Sequence, residues 1–158
     1  MIIQRKNDIT EINRLLKIFP VVAILGARQC GKTTLAKQIP HDFYFDLENP
    51  RDLARFDQPQ LTLENLNGLI IIDEIQRVPD LFPLLRHLVD TKSDLRYLIL
   101  GSASRDLIKQ SSESLAGRIG YYQLGGFSLS DAGNKNLRKL WIRGSLLRSF
   151  LAESEQAS

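Results

Sequence analysis

A glycine-rich stretch at residues 26–33 has the residue types and spacing that bind a chain of phosphates. Its sequence, Gly-Ala-Arg-Gln-Cys-Gly-Lys-Thr, matches the pattern Gly-x-x-x-x-Gly-Lys-Ser/Thr at every position. Glycines allow such a loop to curl until its backbone N–H groups face a phosphate, and the helix that follows adds a positive dipole. The pattern places Lys32 where it reaches the β- and γ-phosphates, and Thr33 where its hydroxyl ligates Mg²⁺. The stretch therefore predicts a site for a nucleoside triphosphate with Mg²⁺.

The predicted nucleotide ligands lie in this loop and in the residue that follows it. They are Gly26, Ala27, Arg28, Gln29, Cys30, Gly31, Lys32, Thr33 and Thr34. Cys30 is interpreted as a small residue that contributes only its backbone, because no nearby histidine supports a catalytic thiol. Lys32 is also predicted to act in catalysis, since it contacts the phosphates at which the reaction takes place.

Two adjacent acids, Asp73 and Glu74, follow the aliphatic residues 69–72. Successive residues of a strand point to opposite sides, so the two carboxylates can serve two functions. Asp73 is predicted to hold the Mg²⁺ shell, the usual task of an acid after a hydrophobic strand in such sites. Glu74 is predicted to orient and deprotonate an attacking water. This acid pair favours a hydrolase over a domain that only binds a nucleotide.

Two further residues are predicted to act in catalysis. Ser102 follows an apolar strand, where it would lie beside the γ-phosphate, whereas Ser104 is interpreted as the cap of the next helix. Arg118 precedes the last predicted strand, and an arginine supplied in cis or in trans can stabilise charge on a transferring phosphoryl group. Arg28 and Arg105 are weaker candidates for that role.

Strands and helices that alternate along the chain must position these residues. Five strands are predicted at residues 21–25, 43–47, 69–72, 95–100 and 121–124, and helices at 8–19, 33–39, 51–56, after Asp80 and at 104–110. The pattern predicts an α/β fold of three layers, with a mainly parallel five-stranded sheet flanked by helices. Ligands bind at the carboxyl ends of the strands in such sheets.

The composition excludes several other classes of protein. The 158 residues carry a net charge of +3, with 43% hydrophobic and 25% charged residues, which is typical of one globular domain. A single cysteine excludes a disulfide framework, and with two histidines it leaves no metal-ligand spacing. The longest aliphatic runs, 21–25 and 69–72, are far shorter than the roughly 20 residues that span a bilayer. We therefore expect a cytoplasmic protein without membrane contact.

The positive charge is concentrated near the end of the chain. Between Asp131 and Glu153 lie five basic residues and no acid, namely Lys135, Arg138, Lys139, Arg143 and Arg148. Without them the chain has 16 basic and 18 acidic residues, from totals of 21 and 18. The predicted organisation is a core at residues 1–130, a basic segment at 131–152 and a polar tail at 153–158 with a composition typical of disordered ends. The basic segment is either a solvated or protein-docking face, or a contact for nucleic-acid phosphates.

Together these motifs resemble the AAA-type ATPase core of a large group of prokaryotic ATPases, over roughly residues 3–152. The matching stretches are residues 26–34, 45–49, 71–76, 100–104 and 115–118. The resemblance implies a P-loop ATPase of the additional-strand, catalytic-glutamate type, with ATP and Mg²⁺ as cofactors. It implies that Lys32 and Thr33 belong to Walker A, that Asp73 and Glu74 form Walker B, and that Ser102 is sensor one. Arg118 would be an arginine finger, which in trans requires a homo-oligomer.

The resemblance also has departures that bear on activity. Members of the group usually continue into a lid and a C-terminal domain, and residues 144–147 replace a family Gly-Gly-x-Pro turn. We therefore expect an ATPase core truncated before its lid and effector domain, which hydrolyses ATP with Mg²⁺. The alternative is a nucleotide-binding switch or remnant with little turnover, which docks a partner or nucleic acid through the basic segment.

Two other nucleotide-binding classes fit the sequence less well. A GTPase would read guanine with a Thr-Lys-x-Asp motif after an apolar strand, but here residues 91–94 precede one. A small-molecule kinase would need an acceptor pocket and an arginine-rich lid, and no insertion is long enough to form them.

Overall fold

The computed structural model describes residues 5–126, in which helices and strands alternate. In chain order the elements are α1 Lys6–Ile18, β1 Val21–Gly26, α2 Lys32–Ala36, β2 Phe43–Asp46, α3 Pro50–Arg55, α4 Pro59–Leu63, β3 Leu69–Asp73, a 3₁₀ turn at Ile75–Arg77, α5 Leu81–Thr91, β4 Arg96–Ser102, α6 Arg105–Ser114 and β5 Ile119–Gln123. The predicted basic segment at 131–152, the turn at 144–147 and the polar tail at 153–158 lie outside the described residues.

The five strands form one sheet in the order β2-β3-β4-β1-β5, and every neighbouring pair is parallel. The carboxyl ends of the strands therefore meet at one edge. Gly26 pairs with Ser102, and Asp46 pairs with Asp73, at that edge. The predicted three-layer α/β fold with a parallel five-stranded sheet is confirmed.

The three central strands β3, β4 and β1 are buried on both faces, which explains their nearly continuous aliphatic residues. Alternate residues of β1 enter two separate apolar clusters, with Val21, Ala23 and Leu25 on one face and Val22 and Ile24 on the other. The first cluster includes buried residues of α5 and α6, and the second includes buried residues of α1 and α2. This double packing holds β1, and hence the loop that follows it, in a fixed position.

Several helix boundaries differ from the sequence prediction, since α2 ends at Ala36 instead of residue 39 and α6 continues to Ser114 instead of residue 110. Helix α1 begins at Lys6 instead of Asp8, because Asp8 forms an ion pair with Arg5 at 2.5 Å and does not act as the cap. Helix α4, which the sequence pattern did not predict, begins at Pro59. Proline is well suited to the first turn of a helix, where its missing N–H has no helical partner. None of the helices in residues 5–126 is long and apolar enough to cross a membrane.

Candidate nucleotide-binding site

The 26–33 loop connects β1 to α2 at the carboxyl edge of the sheet and has a tightly curled backbone. Gln29 and Gly31 have positive φ angles of 64° and 97°, and Gly31 is the residue that precedes α2. Glycine adopts this left-handed conformation without strain. A Cβ at Gly26 would lie 2.7 Å from Cys30 Sγ and from the carbonyl oxygen of Leu124, so this position has no room for a side chain. Both glycines of the motif are therefore required by the backbone.

Lys32 lies inside the curl of this loop. Its ammonium group donates hydrogen bonds to the carbonyl oxygens of Gly26 at 3.0 Å and Ala27 at 3.1 Å, and its side chain is buried. Within residues 5–126 no carboxylate forms an ion pair with it. A buried cation that is balanced only by carbonyl dipoles is stabilised when an anion binds beside it. Ala27, Arg28 and Gln29 are exposed around it, whereas Cys30 is buried.

Thr33 connects the loop to the acid pair across 40 residues of sequence. Its hydroxyl donates a hydrogen bond of 2.7 Å to Asp73 Oδ2, and the backbone N–H of Glu74 donates to Asp73 Oδ1 at 2.9 Å. Asp73 is only 2% exposed, so its charge depends on these donors. The two predicted metal ligands are therefore brought together.

These oxygens fit the ligand preference of Mg²⁺. Mg²⁺ is held by one or two carboxylates together with water and substrate phosphates, instead of by a cage made wholly of protein. Residues 5–126 contain no group of three or more His, Cys, Asp or Glu that could hold a metal ion. Thr33 and Asp73 therefore supply two oxygens of the kind that Mg²⁺ prefers.

Tyr44 is a site residue that the sequence reasoning missed. Its hydroxyl donates a second hydrogen bond to Asp73 Oδ2, also at 2.7 Å, and Lys37 Nζ lies 4.9 Å from its ring centroid. Burial, and then the hydrogen bond to Asp73, raise the pKa of Tyr44 above its usual range. Strand β2 pairs with β3, and this pairing brings the tyrosine beside the aspartate. The only signal in the sequence is an aromatic residue within a strand, which does not specify a neighbour.

Replacing Tyr44 by phenylalanine is expected to lower the free energy of unfolding by about 1–2 kcal/mol. The reason is that a buried carboxylate loses a charge-assisted hydrogen bond. Urea denaturation measures the effect. Tyr121→Phe is the matched control, since it removes a hydroxyl bonded to the neutral Ser111 hydroxyl at 2.9 Å, and it should have a smaller effect. Equal stability of Tyr44→Phe and the wild type would contradict the assignment.

Glu74 adopts an uncommon backbone conformation directly after β3. Its φ and ψ are 57° and 45°, the left-handed region that non-glycine residues rarely adopt, and the 3₁₀ turn at Ile75–Arg77 follows it. The side-chain amide of Gln76 donates a hydrogen bond to Glu74 Oε2. The carboxylate is therefore held by a residue two positions further along the chain, which the sequence reasoning did not assign.

Ser102 and Ser104 lie at the end of β4 and at the start of α6. Ser102 ends β4 opposite Gly26, so it lies beside the start of the 26–33 loop and is half-buried. Ser104 caps α6, because its hydroxyl oxygen accepts a hydrogen bond of 3.2 Å from the N–H of Leu107. Ser102 is thus adjacent to the candidate site, and Ser104 has a structural role.

Arg118 is not brought together with the other predicted catalytic residues. It directly precedes β5, and its carbonyl oxygen accepts a hydrogen bond from Val21 N at the start of β1. The six residues of β1 therefore separate it from the loop, a distance of about 17 Å at roughly 3.3 Å per residue. Its guanidinium donates two hydrogen bonds to Asp90, at 2.5 and 2.9 Å. These bonds hold the pKa of Asp90 below its usual value.

The two weaker candidates for this role, Arg28 and Arg105, have exposed side chains.

Arg5, which precedes α1, contacts both the 26–33 loop and the residues that follow β5. It donates to the carbonyl oxygen of Cys30 at 3.4 Å and to those of Gly125 at 3.2 Å and Gly126 at 2.9 Å. Asp8, its ion-pair partner, accepts a hydrogen bond from the Tyr122 hydroxyl. The arginine thereby joins α1 to the loop and to the chain that leaves β5.

Comparison with known proteins identifies the family of this chain. The family model described as AAA domain matches residues 19–132, which is most of the chain, and the chain belongs to that family. It is 47% identical over 162 residues to the uncharacterized proteins Mb2031c of Mycobacterium bovis and Rv2008c of Mycobacterium tuberculosis. All of this chain is matched, and it spans 37% of the length of these relatives.

The fold is similar to that of two solved structures. The Walker-type ATPase paby2304 of Pyrococcus abyssi has a TM-score of 0.59 at 17% identity, covering 89% of this chain and 58% of that one. The Hsp104–ADP complex of S. cerevisiae has a TM-score of 0.60 at 16% identity, covering 89% and 24% respectively. At these identities the likeness concerns the fold.

Proposed function

We propose that this chain is the ATP-binding and ATP-hydrolysing domain of an Mg²⁺-dependent ATPase. The observation that carries the proposal is the hydrogen bond between Thr33 and the buried Asp73. It joins the phosphate-binding pattern and the acid pair into one site at the carboxyl edge of a parallel sheet, where ligands bind in such folds. Membership of the AAA domain family supports the same function.

Each residue of the site has a role in this proposal. The backbone N–H groups of the 26–33 loop and the ammonium group of Lys32 bind the phosphates, and Thr33 and Asp73 hold Mg²⁺. When bound, Mg²⁺ neutralises charge that develops on the β- and γ-phosphate oxygens. Glu74 accepts a proton from the water that attacks the γ-phosphorus, as the bond from that phosphorus to the bridging oxygen breaks and ADP leaves. Ser102 lies at the next strand end, where it contacts the γ-phosphate or the water.

Arg118 is proposed to act on the nucleotide of a neighbouring copy of the chain. Its place at the amino edge of the sheet separates it from the site of its own chain, as described above. An arginine at that edge reaches a phosphate only when a second subunit presents its loop there. The proposed ATPase is therefore a homo-oligomer with sites completed between subunits.

Nucleotide binding by a Lys32→Ala variant tests this function. We expect ATP affinity, measured by isothermal titration calorimetry with Mg²⁺, to fall about 10- to 100-fold, because charge-assisted hydrogen bonds to the phosphates are lost. Lys109→Ala removes an exposed lysine of α6 and should bind as the wild type does. Unchanged affinity in Lys32→Ala would contradict the proposal. Binding without phosphate release by the wild type would favour the alternative, a nucleotide-binding switch.

A further inference from the structure

We propose that Gln76 is a positioning residue that fixes the Glu74 carboxylate for catalysis. This inference rests on the proposed function, in which Glu74 accepts the proton of the attacking water. It is supported by three features of the described residues, namely the backbone of Glu74, the burial of the Gln76 Oε1 atom and the orientation of the amide that these surroundings favour.

The backbone after β3 brings the two side chains together. Glu74 is in the left-handed region, and the 3₁₀ turn that follows is closed by a hydrogen bond of 3.0 Å from Arg77 N to the Glu74 carbonyl oxygen. Such a conformation is costly for a non-glycine residue and persists only where the surroundings hold it. The tight turn lets the Gln76 amide reach back to Glu74 Oε2. The strained backbone of Glu74 therefore allows the Gln76 amide to donate a hydrogen bond to the Glu74 carboxylate.

The oxygen of the Gln76 amide lies in an environment that is unfavourable for a hydrogen-bond acceptor. Its Oε1 atom is buried and has no hydrogen-bond donor among the residues that the structure describes. Gly101 and the buried Ile75 lie close to this oxygen. A Cβ atom added to Gly101 would be 3.1 Å from the oxygen and 3.3 Å from a methyl group of Ile75. Burying an acceptor without a donor destabilises the fold. An apolar side chain of the same size would suit this position better, so stability alone does not account for a glutamine here.

The surroundings of the half-buried Gln76 also favour one orientation of its amide. A flipped Gln76 would direct its oxygen at the Glu74 carboxylate, which places two acceptors against each other, and would leave two N–H donors in the apolar surroundings. The amide nitrogen must therefore face Glu74. One carboxylate oxygen is thereby occupied, and the other oxygen is left to accept the proton of the attacking water.

A Gln76→Met variant separates positioning from a purely structural role. Methionine keeps the length and volume of glutamine and removes the donor. We expect kcat for ATP hydrolysis to fall about 10- to 100-fold, because small misplacements of a catalytic group have effects of this size. KM should remain within about twofold of the wild type, since the phosphate ligands are untouched. The midpoint of thermal unfolding should be unchanged or higher, because an unsatisfied buried acceptor has been removed.

Two further variants complete the experiment. Gln60→Met is the matched control, because Gln60 donates at 3.5 Å to Glu64 on the exposed surface of α4, and this variant should retain wild-type kcat. In a Glu74→Gln background, Gln76→Met should cause no further loss of kcat, because Gln76 acts through Glu74.

The results distinguish this inference from the proposed function on which it rests. If Glu74→Gln slows hydrolysis but Gln76→Met retains wild-type kcat, the role of Gln76 is wrong and the proposed function stands. A lower unfolding midpoint together with a loss of kcat would also overturn it, in favour of a structural role. If Glu74→Gln itself retains wild-type kcat, the proposed function fails, and with it the role of Gln76.

Discussion

Replacing Glu74 by glutamine is expected to lower the rate of ATP hydrolysis by about 10²- to 10⁴-fold. General-base catalysis contributes a factor of this size, and glutamine cannot accept the proton of the attacking water. The substitution preserves the size of the side chain, and its amide oxygen can still accept the hydrogen bond from Gln76. Thr33, Asp73 and the 26–33 loop are untouched, so ATP affinity should remain close to that of the wild type.

Steady-state phosphate release and calorimetric ATP binding, measured on the same preparations, check this prediction. Glu113→Gln is the control, since it makes the same chemical change at an exposed position near the end of α6. A Glu74→Gln variant that releases phosphate as fast as the wild type would show that another group accepts the proton. A variant that loses ATP binding as well would indicate that Glu74 supports the site instead of the chemistry.

Replacing Arg118 by alanine is expected to lower the rate by about 10³- to 10⁵-fold, the contribution of an arginine finger. Because Arg118 lies at the amino edge of the sheet and pairs with Asp90, we expect this contribution to come from a neighbouring subunit. The specific activity of the wild type should therefore rise with protein concentration as subunits associate. Arg118→Ala should show a low activity that does not depend on concentration.

Mixing two inactive variants gives the sharpest test of action between subunits. In a mixture of Arg118→Ala and Lys32→Ala chains, an Arg118→Ala chain keeps an intact phosphate site and can receive the arginine of a Lys32→Ala neighbour. Activity should therefore return on mixing. Arg86→Ala is the control, because Arg86 contacts the same Asp90 at 4.0 Å and should be dispensable. Wild-type activity in Arg118→Ala would exclude any catalytic role for this arginine.

Tyr44 and Gln76 lie on either side of the acid pair and hold one acid each. The Tyr44 hydroxyl bonds to Asp73, and the Gln76 amide bonds to Glu74. Asp73 accepts a hydrogen bond from Thr33 of α2. Gln76 lies instead near Gly101 of β4 and Ile75. Two adjacent carboxylates thus have separate supports, which is consistent with separate tasks in metal binding and proton transfer.

The sequence alone was sufficient for the fold class, and it contains the two motifs from which the site is proposed. The 26–33 pattern is local, because a loop that binds phosphates needs glycines, a lysine and a hydroxyl at fixed spacing. The aliphatic runs before Gly26 and Asp73 were sufficient to predict strands buried on both faces. Helix boundaries were less certain, as α4 and the start of α1 show, because a proline or an aspartate near a helix end fits more than one position.

The tertiary structure alone decided which distant residues meet. The bond from Tyr44 to Asp73 depends on β2 pairing with β3, and the separation of Arg118 from the loop depends on the parallel direction of β1 and β5. The Gln76 amide oxygen lies close to Gly101 of β4, a residue distant in the sequence. Local sequence patterns encode periodicity and turns, but they do not encode strand order or register. The residues of the two motifs could therefore be proposed from the sequence, whereas the residues that contact them could not.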